Sequence, residues 1–191
     1  SSLADAAAKA VALSKGQAAG QLPAFVPGRD LLDAARQLRP EQKYIRGLFC
    51  GGTLASEALF EISKECPAVY SNVAKKPEQQ MEDLNVSKKN TVIDLGDDAF
   101  TVGRPHPMIE PELRNDRLLQ EARCPETAVV LLDLELGYGS HADPAGVALE
   151  AIRAAQTENG KAGRSVIFIA YILGTREDFQ GYDAQRAALE E

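Results

Sequence analysis

The sequence holds few of the residues that mark several classes of protein. It has no tryptophan, three cysteines and two histidines among 191 residues. Three cysteines give neither the even count of a disulfide framework nor the paired spacing of a zinc module, so we expect a reduced, cytoplasmic protein. No apolar run approaches the length that spans a bilayer, and we expect no membrane partner.

Positive charge is also scarce. Lysine and arginine total 21 against 28 acidic residues, which gives a net charge of -7 and a pI near 5.0. The longest basic runs are the pairs Lys75-Lys76 and Lys88-Lys89. A nucleic-acid backbone would be repelled, so we expect no nucleic-acid partner. The 45% hydrophobic content suffices for one core.

The first forty residues differ from the rest. An Ala-rich segment, Leu3–Ser14, predicts a helix with Ser2 as its N-cap, and a linker rich in glycine and proline follows. A second short helix is predicted over Leu31–Leu38, with Asp30 as its N-cap. Residues 1–40 are interpreted as the helical tail of a preceding module and a linker.

Residues 41–191 alternate strand-length apolar runs with amphipathic segments, the pattern of repeated βαβ units. The predicted strands are near-continuous in aliphatic residues, which is typical of strands covered on both faces. They are Ile45–Cys50, Ala68–Val73, Thr91–Leu95, Ala128–Leu136 and Ser165–Leu173. The predicted helices are Leu54–Lys64, Glu112–Ala122, Ala145–Glu158 and Asp183–Leu189. We predict an α/β fold, flavodoxin-like and doubly wound, with a mostly parallel sheet and helices on both faces.

Small and polar residues follow four of these strands. Glycine lets the backbone approach a ligand, and a following helix points free N–H groups at it. Asp143-Pro144 marks a well-specified helix start, so an anion is expected where Gly137–Asp143 meets that helix. The alternative is that the glycines only close tight turns. The predicted phosphate or substrate ligands are Gly51, Gly52, Thr53, Gly96, Arg104, Gly137, Gly139 and Ser140.

The two histidines, His106 and His141, both fall in these loops and are the candidate catalytic residues, either proton donors or anion contacts. Each can instead be a loop histidine bonded to backbone. Arg104 and Arg176 can clamp a carboxylate or phosphate, although exposed arginines often have no such role.

Other polar residues of these loops leave two readings open. The group Asp94, Asp97 and Asp98 can hold Mg²⁺ or serve loop solvation and helix capping, so the metal content is left open. Cys50 is interpreted as a buried small hydrophobe, with a nucleophilic thiolate as the alternative.

Three segments, Arg46–Leu54, Thr101–Ile109 and Gly137–His141, closely resemble the FdrA family. The resemblance covers the chain from about Tyr44 to Thr175. Proteins of that family are described as acyl-CoA synthetases related to succinyl-CoA synthetase. The resemblance implies that residues 41–191 are a C-terminal CoA-ligase-type domain, shortened at its C-terminal end.

By this resemblance, the loops ending in Gly51-Gly52-Thr53, Asp94-Leu95-Gly96 and Gly137 to Asp143 face a phosphate or acyl phosphate. The relatives' phosphorylated histidine lies in a Gly-His-Ala-Gly-Ala string that this sequence lacks. The resemblance also implies no cofactor on this chain, because CoA and nucleotide would need other domains of the family's proteins. The implied partners are preceding CoA-binding domains, other subunits or further copies in a homo-oligomer.

Three functions remain open at this point. The first is a component of an acyl-CoA-synthetase-like enzyme. FdrA-like proteins are also linked to oxamate carbamoyltransferase of allantoin breakdown, which converts oxalurate and phosphate into oxamate and carbamoyl phosphate. The third is a non-catalytic assembly domain, which the missing histidine string favours. A flavin-binding flavodoxin is disfavoured because no hydroxyl-rich loop follows the first strand.

Overall fold

A computed structural model describes residues 2–18, 20 and 26–190. These described residues fall into two compact units, one within residues 1–36 and one within residues 37–191. The first unit contains helices α1, Leu3–Ser14, and α2, Arg29–Arg36. The Ser2 side chain accepts the Asp5 N–H and caps α1, as predicted. Asp30 was wrongly predicted as an N-cap, because it lies within the first turn of α2. The predicted linker lies partly outside the described residues.

The second unit contains five strands and five α-helices among the described residues. The strands are β1 (Tyr44–Phe49), β2 (Val69–Ser71), β3 (Asn90–Asp94), β4 (Thr127–Glu135) and β5 (Ile167–Leu173). The helices are α3 (Gly52–Glu65), α4 (Asp98–Thr101), α5 (Glu112–Arg123), α6 (Pro144–Lys161) and α7 (Tyr182–Glu190). Two short elements were not predicted, α4 and a 3₁₀ turn at Pro77–Gln79.

All strands are parallel, in the order β2-β3-β1-β4-β5. The predicted α/β fold with a parallel sheet is therefore confirmed. Flavodoxin-like sheets run 2-1-3-4-5, so β1 and β3 have exchanged places here. The central position of β1 in the sheet agrees with the burial of its last four residues.

Helices cover both faces of the sheet, as doubly wound folds require. On one face α3 buries Ala55 and Leu59 against Phe49 and Val92. On the other face α5 and α6 contribute Leu118 and a row of alanines to the larger core. The edge strand β5 is less covered, and its side chains Ile169, Tyr171 and Leu173 are exposed. Within the described part of the chain, no helix is long and apolar enough to cross a membrane.

The connections place a crevice at the carboxyl ends of β1 and β4. After β1 the chain passes through α3 toward β2 at one edge, whereas after β4 it passes through α6 toward β5 at the other. The loops that follow these two neighbouring strands therefore leave in opposite directions. Such a switch point is where doubly wound folds bind their ligands.

Candidate functional site

The N-terminus of α3 lies at this crevice, and no side chain of the described residues caps it. Its N-cap is Gly51, in extended conformation, which offers no side-chain acceptor to the first-turn N–H groups. A Cβ atom built on Gly51 would meet nothing within 4 Å, so the approach to these groups is open. Thr53 is exposed in the same turn. Backbone donors and the positive end of the helix dipole thus face an accessible space.

The loop after β3 packs closely against this helix start. A Cβ on Gly52 would lie 2.9 Å from Oδ2 of Asp94, and a Cβ on Gly96 would lie 2.7 Å from the Cys50 carbonyl oxygen. The Gly96 Cβ would also collide with Nε2 of His106. Only glycine therefore lets the two loops and the histidine come together.

Asp94 and His106 are held in place by backbone groups. Asp94 Oδ1 accepts the Gly96 N–H at 2.9 Å, and the Asn72 side chain bonds to both the N–H and the carbonyl of Asp94. Burial raises the pKa of the Asp94 carboxyl, partly opposed by the Gly96 N–H. His106 Nδ1 accepts the Met108 N–H at 3.2 Å, which leaves Nε2 directed at Gly96. The neutral tautomer therefore carries its proton on Nε2.

The N-terminus of α6, where an anion was expected, is instead filled by protein groups. Asp143 is the N-cap and Pro144 follows it, as predicted, and Asp143 Oδ1 accepts the Gly146 N–H at 3.0 Å. Gln185 Oε1 accepts the Ala145 N–H at 2.8 Å, and Gln185 Nε2 donates to the Asp143 carboxylate. The first-turn donors are satisfied and a carboxylate lies among them, which disfavours a further anion there.

The loop Gly137–His141 is folded around Gln180. The Gly137 N–H donates to the Gln180 side-chain oxygen, and Gln180 Nε2 donates to the carbonyls of Gly137 and His141. Gly137 and Gly139 have φ angles of 111° and 85°, a region that favours glycine. This loop is therefore a closed turn, which favours the alternative interpretation that its glycines close a tight turn.

Comparison with known proteins identifies the family of this crevice-forming domain. The family model described as CoA-ligase matches residues 48–191. The chain belongs to the CoA-ligase family. It is 46% identical over 186 residues to "Uncharacterized protein YahF" of Escherichia coli strain K12, an alignment covering 97% of this chain and 36% of YahF. The chain thus spans about a third of the length of this curated relative.

The CoA-ligase domain keeps its two histidines in different surroundings. The backbone N–H of His141 donates to the Met108 carbonyl, and the ring nitrogen Nδ1 of His141 accepts the backbone N–H of Asp143. It lines a depression with Glu110, Glu112 and Glu150, whereas His106 lies against Gly96. The structure therefore brings His106, but not His141, to the start of α3.

Other predicted site residues of the CoA-ligase domain lie apart from α3. Arg104 is exposed and lines a depression with Glu110, Glu112 and Asp116, a surrounding unsuited to an anion. Arg176 pairs with Asp183 at 3.1 Å on the surface. Ser140 Oγ is buried and has no hydrogen-bond partner among the described residues.

The three loop aspartates do not form a common cluster in the described part of the CoA-ligase domain. Asp97 caps α4 by accepting the Ala99 N–H, and Asp98 is the first residue of that helix. Asp94 instead accepts the Gly96 N–H. These contacts support the capping interpretation rather than a magnesium site.

A buried group of the CoA-ligase domain was missed in the sequence. Asp133 is fully buried, and its Oδ1 accepts the Cys50 N–H at 2.8 Å. Cys50 Sγ and carboxylate oxygens of Asp133 and Glu135 lie within 4.8 Å of one another. Arg114, also buried, donates to the Asp133 carbonyl at 2.8 Å and lies 3.6 Å from Cys50 Sγ. An acidic residue within an apolar strand was the available signal.

Burial governs the ionisation of this group. It raises the pKa of the Cys50 thiol far above the usual range, against the opposing effect of Arg114. When no cation lies beside it, Cys50 is therefore a neutral thiol, which favours the interpretation as a buried small hydrophobe over a nucleophilic thiolate. Burial, together with the neighbouring Glu135, also raises the pKa of the Asp133 carboxyl well above its usual range.

Proposed function

We propose that this CoA-ligase domain holds phosphate, or the phosphate end of an acyl phosphate, at the N-terminus of α3. It does so as a component of an acyl-CoA-synthetase-like enzyme. The observation that carries the proposal is the uncapped start of α3 at Gly51, open to solvent beside His106 in a domain of the CoA-ligase family.

Three local features suit an anion at this point. The first-turn N–H groups of α3, which no side chain caps in the described part of the chain, can donate to phosphate oxygens, and the helix dipole favours negative charge. The His106 Nε2–H group can add a donor, since Nδ1 already accepts a backbone N–H. The same donors would stabilise an oxyanion that develops during acyl transfer.

A finer assignment to the FdrA group rests on its sequence resemblance. In that setting the domain works with preceding CoA-binding domains, other subunits or further copies of itself, and CoA and nucleotide bind outside this chain. The 36% of YahF that the chain spans leaves ample length for such domains in that relative. Oxamate carbamoyltransferase is the variant of this proposal in which carbamoyl phosphate is the acyl phosphate.

The thermal stability of the chain in phosphate tests the proposal. Phosphate and acetyl phosphate should raise the Tm more than sulfate at equal ionic strength, by mass action on the folded state. Gly51→Val fills the open approach without backbone strain, because Gly51 is extended and nothing lies near its Cβ. This variant should lose the phosphate response.

The matched control is Ala142→Val, which adds similar bulk at an exposed residue beside the start of α6. This control should keep the full response to phosphate. Loss of the response in Ala142→Val with retention in Gly51→Val would move the anion to α6. An equal response to sulfate in every variant would leave only a general salt effect and would contradict the proposal.

A non-catalytic assembly domain is the second candidate, and one observation favours it. The donors at the start of α6, expected to face phosphate, are satisfied by Asp143 and Gln185. If the family's phosphate site has been lost and only its turn remains, protein side chains would satisfy these N–H groups in this way. The assembly function becomes the better account if neither phosphate nor acetyl phosphate stabilises the chain beyond sulfate.

A further inference from the structure

The crevice between β1 and β4 contains a second group of side chains that the phosphate proposal does not use. It consists of Cys50 at the end of β1 and of Asp133 and Glu135, which project from the same face of β4 because they are two residues apart. A sulfur and two carboxylate oxygens converge within 4.8 Å there. We call this group the Cys50 cluster.

One atom of the Cys50 cluster lacks a hydrogen-bond partner although it is inaccessible. Asp133 is fully buried; its Oδ1 accepts the Cys50 N–H, but no donor among the described residues reaches its Oδ2. Buried carboxylate oxygens without a donor are costly, and they occur where a proton or a cation completes the site. The Glu135 side chain lies within hydrogen-bonding reach of the Asp133 carboxyl. Two carboxylates approach this closely when a proton or a cation lies between them, and a cation can take the place of that proton.

We propose that the Cys50 cluster is a Zn²⁺ site whose protein ligands are Cys50 Sγ and one carboxylate oxygen each from Asp133 and Glu135. A thiolate with two carboxylates suits a borderline-soft ion such as Zn²⁺, whereas Mg²⁺ and Ca²⁺ prefer oxygen alone. An ion at the centre of the triangle would lie no more than about 2.8 Å from each ligand atom. Movements of roughly 0.5–0.8 Å would therefore give the zinc–sulfur and zinc–oxygen distances found in proteins.

The charges of the surrounding groups also balance with this ion. Three ionised ligands carry three negative charges, and Zn²⁺ with the buried Arg114 guanidinium carries three positive charges. Arg114 is oriented by its bond to the Asp133 carbonyl, on the main chain of a ligand residue. Three protein ligands leave a fourth tetrahedral position for water or another oxygen ligand, as in zinc sites that take part in chemistry.

Cobalt titration of the full chain tests this site independently of phosphate binding. The background is the double variant Cys66→Ser/Cys124→Ser, in which Cys50 is the only thiol. One equivalent of Co²⁺ should give a thiolate-to-cobalt charge-transfer band and the visible bands of a tetrahedral ion, and Zn²⁺ should displace both. No such band in this background, or a band that persists after Cys50→Ser, would overturn the proposal.

A second variant keeps the test decisive if Cys50→Ser fails to fold. Glu135 is only partly buried, so Glu135→Gln should preserve the fold while removing one charged ligand. It should weaken Zn²⁺ binding, measured by calorimetry, by at least about tenfold. The control Glu150→Gln, on the exposed surface of α6, should leave the Zn²⁺ affinity unchanged. Equal Zn²⁺ affinity in wild type and Glu135→Gln would contradict the site.

Discussion

At the scale of single residues, the site depends on glycines whose missing side chains let neighbours touch. The glycines that follow four of the predicted strands predicted Gly52 and Gly96 as site residues. The sequence could not predict that the His106 ring lies against Gly96, because they are ten positions apart with α4 between them, and their contact depends on packing. Asp133 was missed for a related reason, since its apolar neighbours in the sequence predict only a strand.

The pKa of Asp94 leads to a pH dependence of stability. Because burial raises this pKa in the folded state, the folded protein binds more protons than the unfolded chain. The contribution of Asp94 to stability is therefore lost as pH rises from about 3.9, the unfolded value, through the higher folded value.

Asp94→Asn tests this sign. The asparagine side chain keeps an oxygen that can accept the Gly96 N–H, and this side chain cannot ionise. The variant should be more stable than wild type at neutral pH, and the difference should shrink toward zero as the pH falls through this window. Urea unfolding of both proteins at a series of pH values measures the difference. A difference that is independent of pH would rule out the assigned titration.

At the scale of secondary structure, helix starts were predictable where local chemistry decides them. Asp143-Pro144 predicted the start of α6 because an N-cap and a first-turn proline act within one turn. The groups that fill that start were not predictable. Gln185 lies about forty residues later, and only the packing of α7 against α6 brings it to the Ala145 N–H.

A buried ion-pair network joins α5 to β1. Glu121 of α5 pairs with Arg46 of β1 at 3.0 Å and with Arg117 at 2.6 Å, and all three side chains are almost inaccessible. Ser87 also donates to the Glu121 carboxylate. The Glu121 carboxylate is shared by two buried guanidinium groups, so its removal takes the paired negative charge away from both.

Glu121→Gln should therefore lower the free energy of unfolding by about 3–5 kcal/mol. The matched control is Glu158→Gln, which breaks the exposed pair between Glu158 and Arg123. This control should change the stability little, because solvent screens exposed pairs. Urea denaturation at constant pH measures both variants. Equal losses in the two would show that the network contributes no more than a surface pair.

At the scale of the whole molecule, the parallel α/β fold was predictable because its central strands are buried on both faces. The continuous apolar run over residues 128–132 of β4, for example, is typical of a covered parallel strand. The exchange of β1 and β3 relative to a flavodoxin order was not predictable. It depends on which strands pair, and each strand is apolar enough to occupy the centre.

The chain as a whole should not form a stable phosphohistidine, because it lacks the Gly-His-Ala-Gly-Ala string. Incubation with ATP or acetyl phosphate, followed by intact-mass measurement, should show no added phosphoryl group. His106→Asn and His141→Asn serve as the controls that locate any adduct. A stoichiometric adduct lost in one of these variants would place the phosphoryl chemistry within this domain.

A phosphate titration followed by ¹H–¹⁵N NMR of the backbone amides tests most directly whether phosphate binds at the N-terminus of α3. Saturable shifts should be largest at Gly52, Thr53 and Leu54 in the first turn of α3, with a smaller shift at Gly96. The amides of Ala145 and Gly146 should stay unchanged, since protein groups already occupy them. Shifts concentrated at Ala145 and Gly146, or no saturable shift at α3, would contradict phosphate binding at this helix start.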